Sequence, residues 1–213
     1  MLYRYSIMNK IIPLFPLNIV VFPYSRIPLH IFEEKYKKMI GECLDKKTGF
    51  GIISILKNQL SKIGSYVVIT SILNKHANGE MDIIVRGTKR FKVLETQQHT
   101  DGYLIGKIEA YSDLSKEFDK NLLKELRNNF TSILKKINFN LEDAFWKNYK
   151  ETELKSYKIA EKSGLTIEQQ QEFLTLRKES ERIDYLIEHI QKLEKNLKDN
   201  IATGAIIMSD GYL

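Results

Sequence analysis

The amino-acid sequence predicts an α+β protein with β-strands in the first half and helices in the second. Short apolar runs dominate residues 1–112, whereas apolar residues recur at helical spacing from residue 113 onward. All four prolines fall within positions 13–28, where a fixed φ suits strand starts, edges and bulges. A run of strands followed by a run of helices is typical of an α+β fold or of two adjoining domains.

The first half contains seven predicted strands, which cover residues 10–15, 18–22, 50–56, 65–74, 80–86, 90–97 and 103–111. Asn78-Gly79 lies between two of them and can supply the positive φ of a tight turn. Thr100-Asp101-Gly102 marks a second hairpin. One helix interrupts the strands at residues 33–44, because its apolar residues recur on one face.

The second half predicts helices at residues 114–137, 143–162 and 180–197, the middle one broken. A short additional helix runs to about residue 176. Gly164 is suited to end a helix, and Thr166 with Gln169 forms a capping-box pattern that starts the next one. The last stretch, 201–213, either returns to the fold or frays, as chain ends often do.

Composition indicates a globular protein, with 43% hydrophobic and 28% charged residues among 213. One cysteine, Cys43, excludes an internal disulfide and a cysteine-based metal cage. The first ten residues lack a signal-peptide run, and no window is apolar enough to span a membrane. We therefore expect a cytoplasmic location and no membrane partner.

The net charge of +6 is uneven. Residues 1–112 carry 16 basic and 9 acidic residues, whereas residues 113–213 carry 17 and 18. The excess in the first half is compatible with an anionic partner such as RNA, or with an ordinary lysine-rich surface. The candidate RNA contacts are Lys35, Lys37, Lys38, Lys89, Arg90 and Lys92.

The proline-rich opening belongs to a longer series of positions with a recognisable order. The series comprises Pro13-Leu-Phe-Pro-Leu-Asn18, Val21-Phe-Pro23, Pro28-Leu-His-Ile-Phe-Glu33, Tyr36, Phe50-Gly-Ile-Ile53, Asn78-Gly79, Gly87 and Arg90-Phe91. This pattern resembles the LON amino-terminal domain, the substrate-recruiting domain of ATP-dependent Lon proteases. That domain also occurs as a free-standing protein, and this chain is similar to the free-standing kind.

The resemblance implies a PUA-like, mostly antiparallel β-barrel with one inserted helix, followed by an α-helical bundle. The implied division is 1–112, 113–200 and a tail at 201–213. The family-motif residues are expected to be mostly structural: Pro13, Phe15, Pro16, Leu17, Phe22, Pro23, Pro28, Leu29, Phe32, Glu33, Tyr36, Gly87, Arg90 and Phe91. Among them, Phe15, Phe22, Phe32 and Phe91 are expected in the barrel core, and Gly87 at a bend or close approach.

Catalytic motifs of Lon proteases are not found in the sequence. The string Gly102–Lys107 is one residue too short for a P-loop, and Ile108 follows where a Ser or Thr would hold Mg²⁺. No Ser–Lys pair is recognised. The histidines at positions 30, 76, 99 and 189 are scattered and show no ligand spacing, so neither a metal nor a cofactor is predicted.

The predicted function is non-catalytic binding of unfolded or damaged polypeptides in protein quality control, as the resemblance implies. The alternative is an RNA-binding PUA-like protein that uses the basic first half. A third possibility is an assembly partner that dimerises through the helices at 114–137 and 180–197. The sequence does not fix the oligomeric state.

Overall fold

A computed structural model describes residues 10–199 of the chain. The chain divides between Ser112 and Asp113 into two compact units, which we call the β unit and the helical unit. The elements of the β unit are β1 (Lys10–Leu17), β2 (Arg26–Ile31), α1 (Glu34–Asp45), β3 (Phe50–Leu56), β4 (Gln59–Leu60), β5 (Ile63–Lys75), β6 (Met81–Gln98) and β7 (Leu104–Ala110).

The strands of the β unit form a nearly closed ring. The order is β1-β7-β6-β5-β3-β4, and β1 also pairs in parallel with β3, which closes the ring. All other pairings are antiparallel, and β2 pairs with the first half of β6. The predicted α+β class, a mostly antiparallel barrel with one inserted helix, is confirmed.

The core of the β unit lies between the ring and α1. The α1 residues Tyr36, Met39, Ile40 and Cys43 are buried in the same cluster as strand residues from around the ring. Phe15 stacks on Tyr36 with ring centroids 4.0 Å apart. The helical spacing that predicted this amphipathic face therefore reflects its burial against the sheet.

The predicted strand at residues 18–22 is wrong, because these residues form a loop, of which 20–22 are buried. Two carbonyl groups of the loop accept from serine side chains instead of from a strand ladder. Ser54 Oγ donates to the carbonyl of Ile19 at 2.7 Å, and Ser65 Oγ donates to that of Val21. The neighbouring strand β2, which contains Pro28, was not predicted.

Two further differences concern β6 and an aromatic residue. The predicted strands at 80–86 and 90–97 form the single 18-residue strand β6.

Phe32, expected in the barrel core, is 58% exposed, whereas Phe15, Phe22 and Phe91 are at most 7% exposed. Phe32 follows β2 directly and precedes α1, so it lies at a junction where its side chain leaves the core.

The helical unit contains α2 (Lys120–Lys136), α3 (Asp143–Glu151), α4 (Lys155–Ala160), α5 (Ile167–Thr175) and α6 (Glu179–Asp199). The broken helix predicted at 143–162 is α3 and α4. Helix α2 begins later than predicted, because the side chain of Asp119 caps it by accepting from the backbone N–H of Asn121. Thr166 and Gln169 form the predicted capping box.

The predicted tail at 201–213 lies outside the described residues. None of the helices in the described part of the chain combines the length and apolar character that crossing a bilayer requires.

Candidate functional site

A cleft of about 270 Å³ opens in the β unit beside the start of β1. Its walls come from β1, the last turn of α1, the loop that follows it, and β5. The lining residues are Lys10, Ile11, Ile12, Pro13, Glu42, Cys43, Lys46, Thr48, Gly49 and Tyr66.

The cleft lies where the pairing of β1 and β3 stops. Their parallel register begins at Leu14 opposite Gly51, whereas β1 pairs with β7 from Lys10 onward. Residues 11–13 therefore pair with β7 on one side and, among residues 10–199, with no strand on the other. Such a strand edge offers backbone hydrogen-bonding groups to an added strand.

The wall opposite β1 is fixed by Gly49 and Tyr66. The backbone N–H of Gly49 donates to the hydroxyl of Tyr66 at 2.7 Å. A Cβ at Gly49 would lie 2.0 Å from the carbonyl oxygen of Val67, so only glycine permits this approach. The cleft is therefore held open by a close backbone contact and a side-chain hydrogen bond.

Charged groups lie at the α1 side of the cleft. Lys46 Nζ lies 2.6 Å from Oε2 of Glu42, one helical turn earlier. The hydrogen bond from Lys46 holds the pKa of the Glu42 carboxyl below its usual range, so this group stays ionised at neutral pH. Burial raises the pKa of the neighbouring Tyr103 hydroxyl to about 12.

Cys43 contributes its thiol to the cleft as an inert group. The side chain is buried, and its Sγ lies 3.8 Å from the carbonyl oxygen of Gly49. Burial raises the pKa of the thiol to about 11, so the reactive thiolate is scarce at neutral pH. The lining thus combines apolar surface, a strand edge and a rim ion pair, which suits binding of a peptide.

The sequence matches the model of a known protein family. Residues 11–192 match the family model of the ATP-dependent protease La (LON) substrate-binding domain. The chain belongs to this family. The match extends across the β unit and into α6, so the LON domain accounts for most of the chain.

A curated relative and two solved structures are similar to this LON domain. The Lon protease of Parabacteroides distasonis is 32% identical over 111 residues, which cover 48% of this chain and 13% of that protein. The chain therefore corresponds to a small part of that relative.

The solved structures share the fold. The Lon N-terminal domain protein from Xanthomonas campestris has 24% identity and a TM-score of 0.63, and the match covers 84% of this chain and 97% of that one. The N-terminal domain of Mycobacterium avium complex Lon protease has 17% identity and a TM-score of 0.66, covering 85% and 98%.

The residues that carry the LON-family pattern lie mostly away from the cleft. Only Pro13 among them lines it. Phe91 is in the core, and Gly87 lies against the loop at 18–22, where a Cβ would be 2.2 Å from the carbonyl oxygen of Phe22. Glu33 directly precedes the first residue of α1.

Sequence reasoning missed Ile11, Gly49 and Tyr66 as site residues. They are far apart in the chain and meet only because β1 and β3 start to pair at Leu14. Ile11 is 63% exposed and Ile12 only 7%, although both are isoleucine, so no local pattern distinguishes the site residue from its buried neighbour.

Most basic residues of the RNA alternative have acidic partners. The ion pairs are Lys35–Glu33, Lys37–Glu34, Lys38–Asp101 and Lys92–Glu109, with N–O distances of 2.9, 2.8, 2.9 and 3.2 Å. Arg90 is only 5% exposed and its guanidinium lies 5.2 Å from the centre of the Tyr111 ring. Lys89 is exposed on β6. These ion pairs reduce the positive potential that a phosphate would meet.

Proposed function

We propose that this LON domain binds an extended, apolar polypeptide segment along the edge of β1. The observation that carries the proposal is the strand edge at residues 11–13, which borders the cleft. The family supports it, because its description is that of a substrate-binding domain. The bound segment would add a strand beside β1 and place alternate side chains in the cleft.

The composition of the cleft selects for unfolded chains. Ile11 is 63% exposed and, with Pro13 and the Tyr66 ring, offers apolar contact to a side chain. An unfolded polypeptide exposes backbone N–H and C=O groups together with apolar side chains, whereas a folded one has already paired and buried both. Pro13 has no N–H, so it limits the length of the added ladder.

The role that follows is recruitment without catalysis. A LON domain that holds an unfolded segment would deliver it to a proteolytic machine or shield it, as part of protein quality control. The buried Cys43 thiol, with its pKa of about 11, does not provide a nucleophile for chemistry on the bound chain.

The test is a fluorescence-anisotropy titration with a labelled, reduced and alkylated protein that stays unfolded. The same protein in its native, disulfide-bonded form serves as the folded comparison. We expect the unfolded form to bind and the native form not to bind. Equal affinity for the two forms would contradict the proposal.

Two matched variants locate the site. Ile11→Glu places a charge at the cleft and should weaken binding by about 10-fold or more, a change of about 1.4 kcal/mol. Leu73→Glu is the control, because Leu73 is also 63% exposed on a strand of the β unit but does not line the cleft. Equal losses in both variants would show that general surface hydrophobicity, not the cleft, binds the client.

A single-stranded RNA probe in the same assay addresses the alternative partner. Phosphate binding weakens steeply with salt, whereas apolar peptide binding does not. The proposal would be overturned in favour of RNA if the protein bound RNA and not the unfolded polypeptide. In that case the affinity for RNA would fall with salt and would remain in Ile11→Glu.

A further inference from the structure

Three strands bring two distant histidines together at one end of the β unit. His30 on β2 lies opposite Asp82 on β6, and Asp82 lies opposite Asn74 on β5. His76 follows directly after β5, at the start of the turn that leads to β6. The spacing of the histidines in sequence gave no reason to expect a metal site, because the cluster forms only through strand pairing.

The side chains of this cluster converge on the Asp82 carboxylate. His30 Nδ1 lies 2.8 Å from Oδ1 of Asp82, and His76 Nε2 lies 3.0 Å from its Oδ2. One ligand atom from each of the three residues lies within 4.8 Å of the others. The three side chains are partly exposed, so an ion has access from solvent.

We propose that His30, His76 and Asp82 form a binding site for a divalent transition-metal ion of the zinc class. Two imidazole nitrogens and a carboxylate oxygen are ligands that Zn²⁺ accepts, with bonds of about 2.0–2.2 Å. Tetrahedral bonds of that length separate ligand atoms by roughly 3.4 Å, so ligand atoms that now lie within 4.8 Å of one another need to approach by about 1.4 Å at most to hold the ion. A fourth position is left for water.

The Nε2 atom of His76 faces the Asp82 carboxylate. It lies 3.0 Å from Oδ2 of Asp82, and the side-chain amide of Asn74 is 3.3 Å away from it. In the neutral ring without an ion, a proton on Nε2 would make this contact. A cation bound to the nitrogen lone pair replaces the proton and joins His76 to the carboxylate directly.

A second carboxylate is positioned to orient His30. Oε2 of Glu80 lies 3.5 Å from His30 Nε2, the ring nitrogen that does not face Asp82. Histidine ligands usually donate their other N–H to such a carboxylate, which fixes the ring and its tautomer. The exposed ring of Phe32 packs against His30 at a centroid distance of 5.9 Å. Phe32 thereby limits the motion of His30.

The turn that carries His76 and Glu80 is also held in place. Gly79 has φ of +82°, and its N–H donates to the carbonyl of His76 at 2.9 Å. Lys37 on α1 donates to the carbonyl of Asn78 at 3.0 Å. These bonds position two groups of the site before an ion arrives, which reduces the entropy cost of binding. The site shares no residue with the cleft beside β1.

The experiment is calorimetric titration of chelator-treated protein with ZnCl₂, with thermal melting in parallel. We expect one equivalent of Zn²⁺ to bind and the melting temperature to rise with Zn²⁺ concentration, since the ion binds the folded state. His30→Gln, His76→Gln and Asp82→Asn should each abolish both effects. Glu80→Gln should weaken binding by about 10-fold, as expected for a residue that orients a ligand.

His99→Gln provides the matched control. His99 Nδ1 lies 3.3 Å from Oδ2 of Asp101, but the nearby cation is Lys38, whose Nζ is 2.9 Å from Oδ1 of Asp101. We expect this variant to bind Zn²⁺ like the unchanged protein. Thermal melting of each variant in EDTA shows whether it folds without metal. The side chains of His30 and His76 are 49% and 38% exposed, so the fold should tolerate both replacements.

Three outcomes would overturn the site. The first is that no Zn²⁺ binds to the chelator-treated protein. The second is that variants at His30 and His76 that fold in EDTA bind Zn²⁺ as the unchanged protein does. The third is that His99→Gln loses the bound equivalent. Each outcome leaves the proposed peptide-binding function untouched, because that function is tested with Ile11→Glu in the absence of metal.

Discussion

Glu179 and Arg182 lie one turn apart on α6 and are both fully buried, with Arg182 Nε donating to Glu179 Oε2 at 3.0 Å. Asp113 accepts from Arg182 Nη1 at 2.6 Å. Ser156 on α4 donates its hydroxyl to Glu179 at 2.7 Å, and the guanidinium lies 4.6 Å from the centre of the Tyr157 ring. This buried network joins three separate segments of the helical unit.

Replacing Arg182 by Met should destabilise the protein by about 3–5 kcal/mol, because the buried Glu179 carboxylate loses its counter-charge. The measurement is urea unfolding followed by circular dichroism at neutral pH. Lys178→Met is the control, at the residue directly before the same helix. Lys178 pairs with Glu181 at 2.9 Å but is half exposed, so its loss should cost less than about 1 kcal/mol. Similar losses in the two variants would show that the buried network contributes no more than a surface ion pair.

Two glycines of the β unit should respond to alanine in opposite directions. A Cβ at Gly87 would lie 2.2 Å from the carbonyl oxygen of Phe22, so Gly87→Ala forces backbone apart and should cost about 1–3 kcal/mol. Gly41, within α1, has nothing within 4 Å of that position, so Gly41→Ala should stabilise by up to about 1 kcal/mol.

Thermal melts of the two glycine variants give the comparison. A higher melting temperature for Gly87→Ala than for the unchanged protein would mean that the loop at 18–22 moves without cost. A lower melting temperature for Gly41→Ala than for the unchanged protein would mean that Gly41 has a packing role in α1, although no atom lies close to the position of its Cβ.

Local patterns predicted the elements whose own residues determine them. The amphipathic spacing in α1 and the Thr166–Gln169 capping box required only neighbouring residues. The loop at 18–22 was misread because its apolar residues are buried without pairing as a strand. Two of its carbonyls accept from Ser54 and Ser65 on distant strands, which no local pattern reveals.

The two candidate sites could not be predicted for a similar reason. The cleft depends on Leu14 being the first β1 residue to pair with β3, which leaves the edge at residues 11–13. The cluster of His30, His76 and Asp82 depends on the register of β2 and β5 against β6. Register is a tertiary property, and a shift of one residue would turn these side chains to the other face.

Cys43 should resist alkylation in the folded protein. With a thiol pKa of about 11, roughly one molecule in a thousand carries a thiolate at pH 8, and the side chain is only 2% exposed. Iodoacetamide labelling followed by mass spectrometry should therefore be slow in native buffer and fast in concentrated guanidinium chloride. Equal rates under the two conditions would show that the cleft opens far enough to expose the sulfur.

His189 on α6 should make the helical unit less stable in mild acid. Its Nε2 lies 2.8 Å from the carbonyl oxygen of Ser163, an acceptor, so this nitrogen carries a proton in the neutral ring. Burial lowers the pKa of His189 below its ordinary value of 6.5, and Lys192 lowers it further. The unfolded chain therefore takes up a proton at a higher pH than the folded chain does.

Neutral His189 contributes to the free energy of unfolding, and this contribution is fully present above pH 6.5. It falls as the pH drops below 6.5, by at most about 1.4 kcal/mol per pH unit, until the folded state is also protonated. Urea unfolding at pH 7.5, 6.5, 5.5 and 5.0 should show a steeper loss in the unchanged protein than in His189→Gln, whose amide can still donate to Ser163. Subtracting the unfolding free energy of His189→Gln from that of the unchanged protein removes the effect of groups that titrate elsewhere in the chain. If the two free energies change with pH in parallel, buried His189 accepts a proton without penalty.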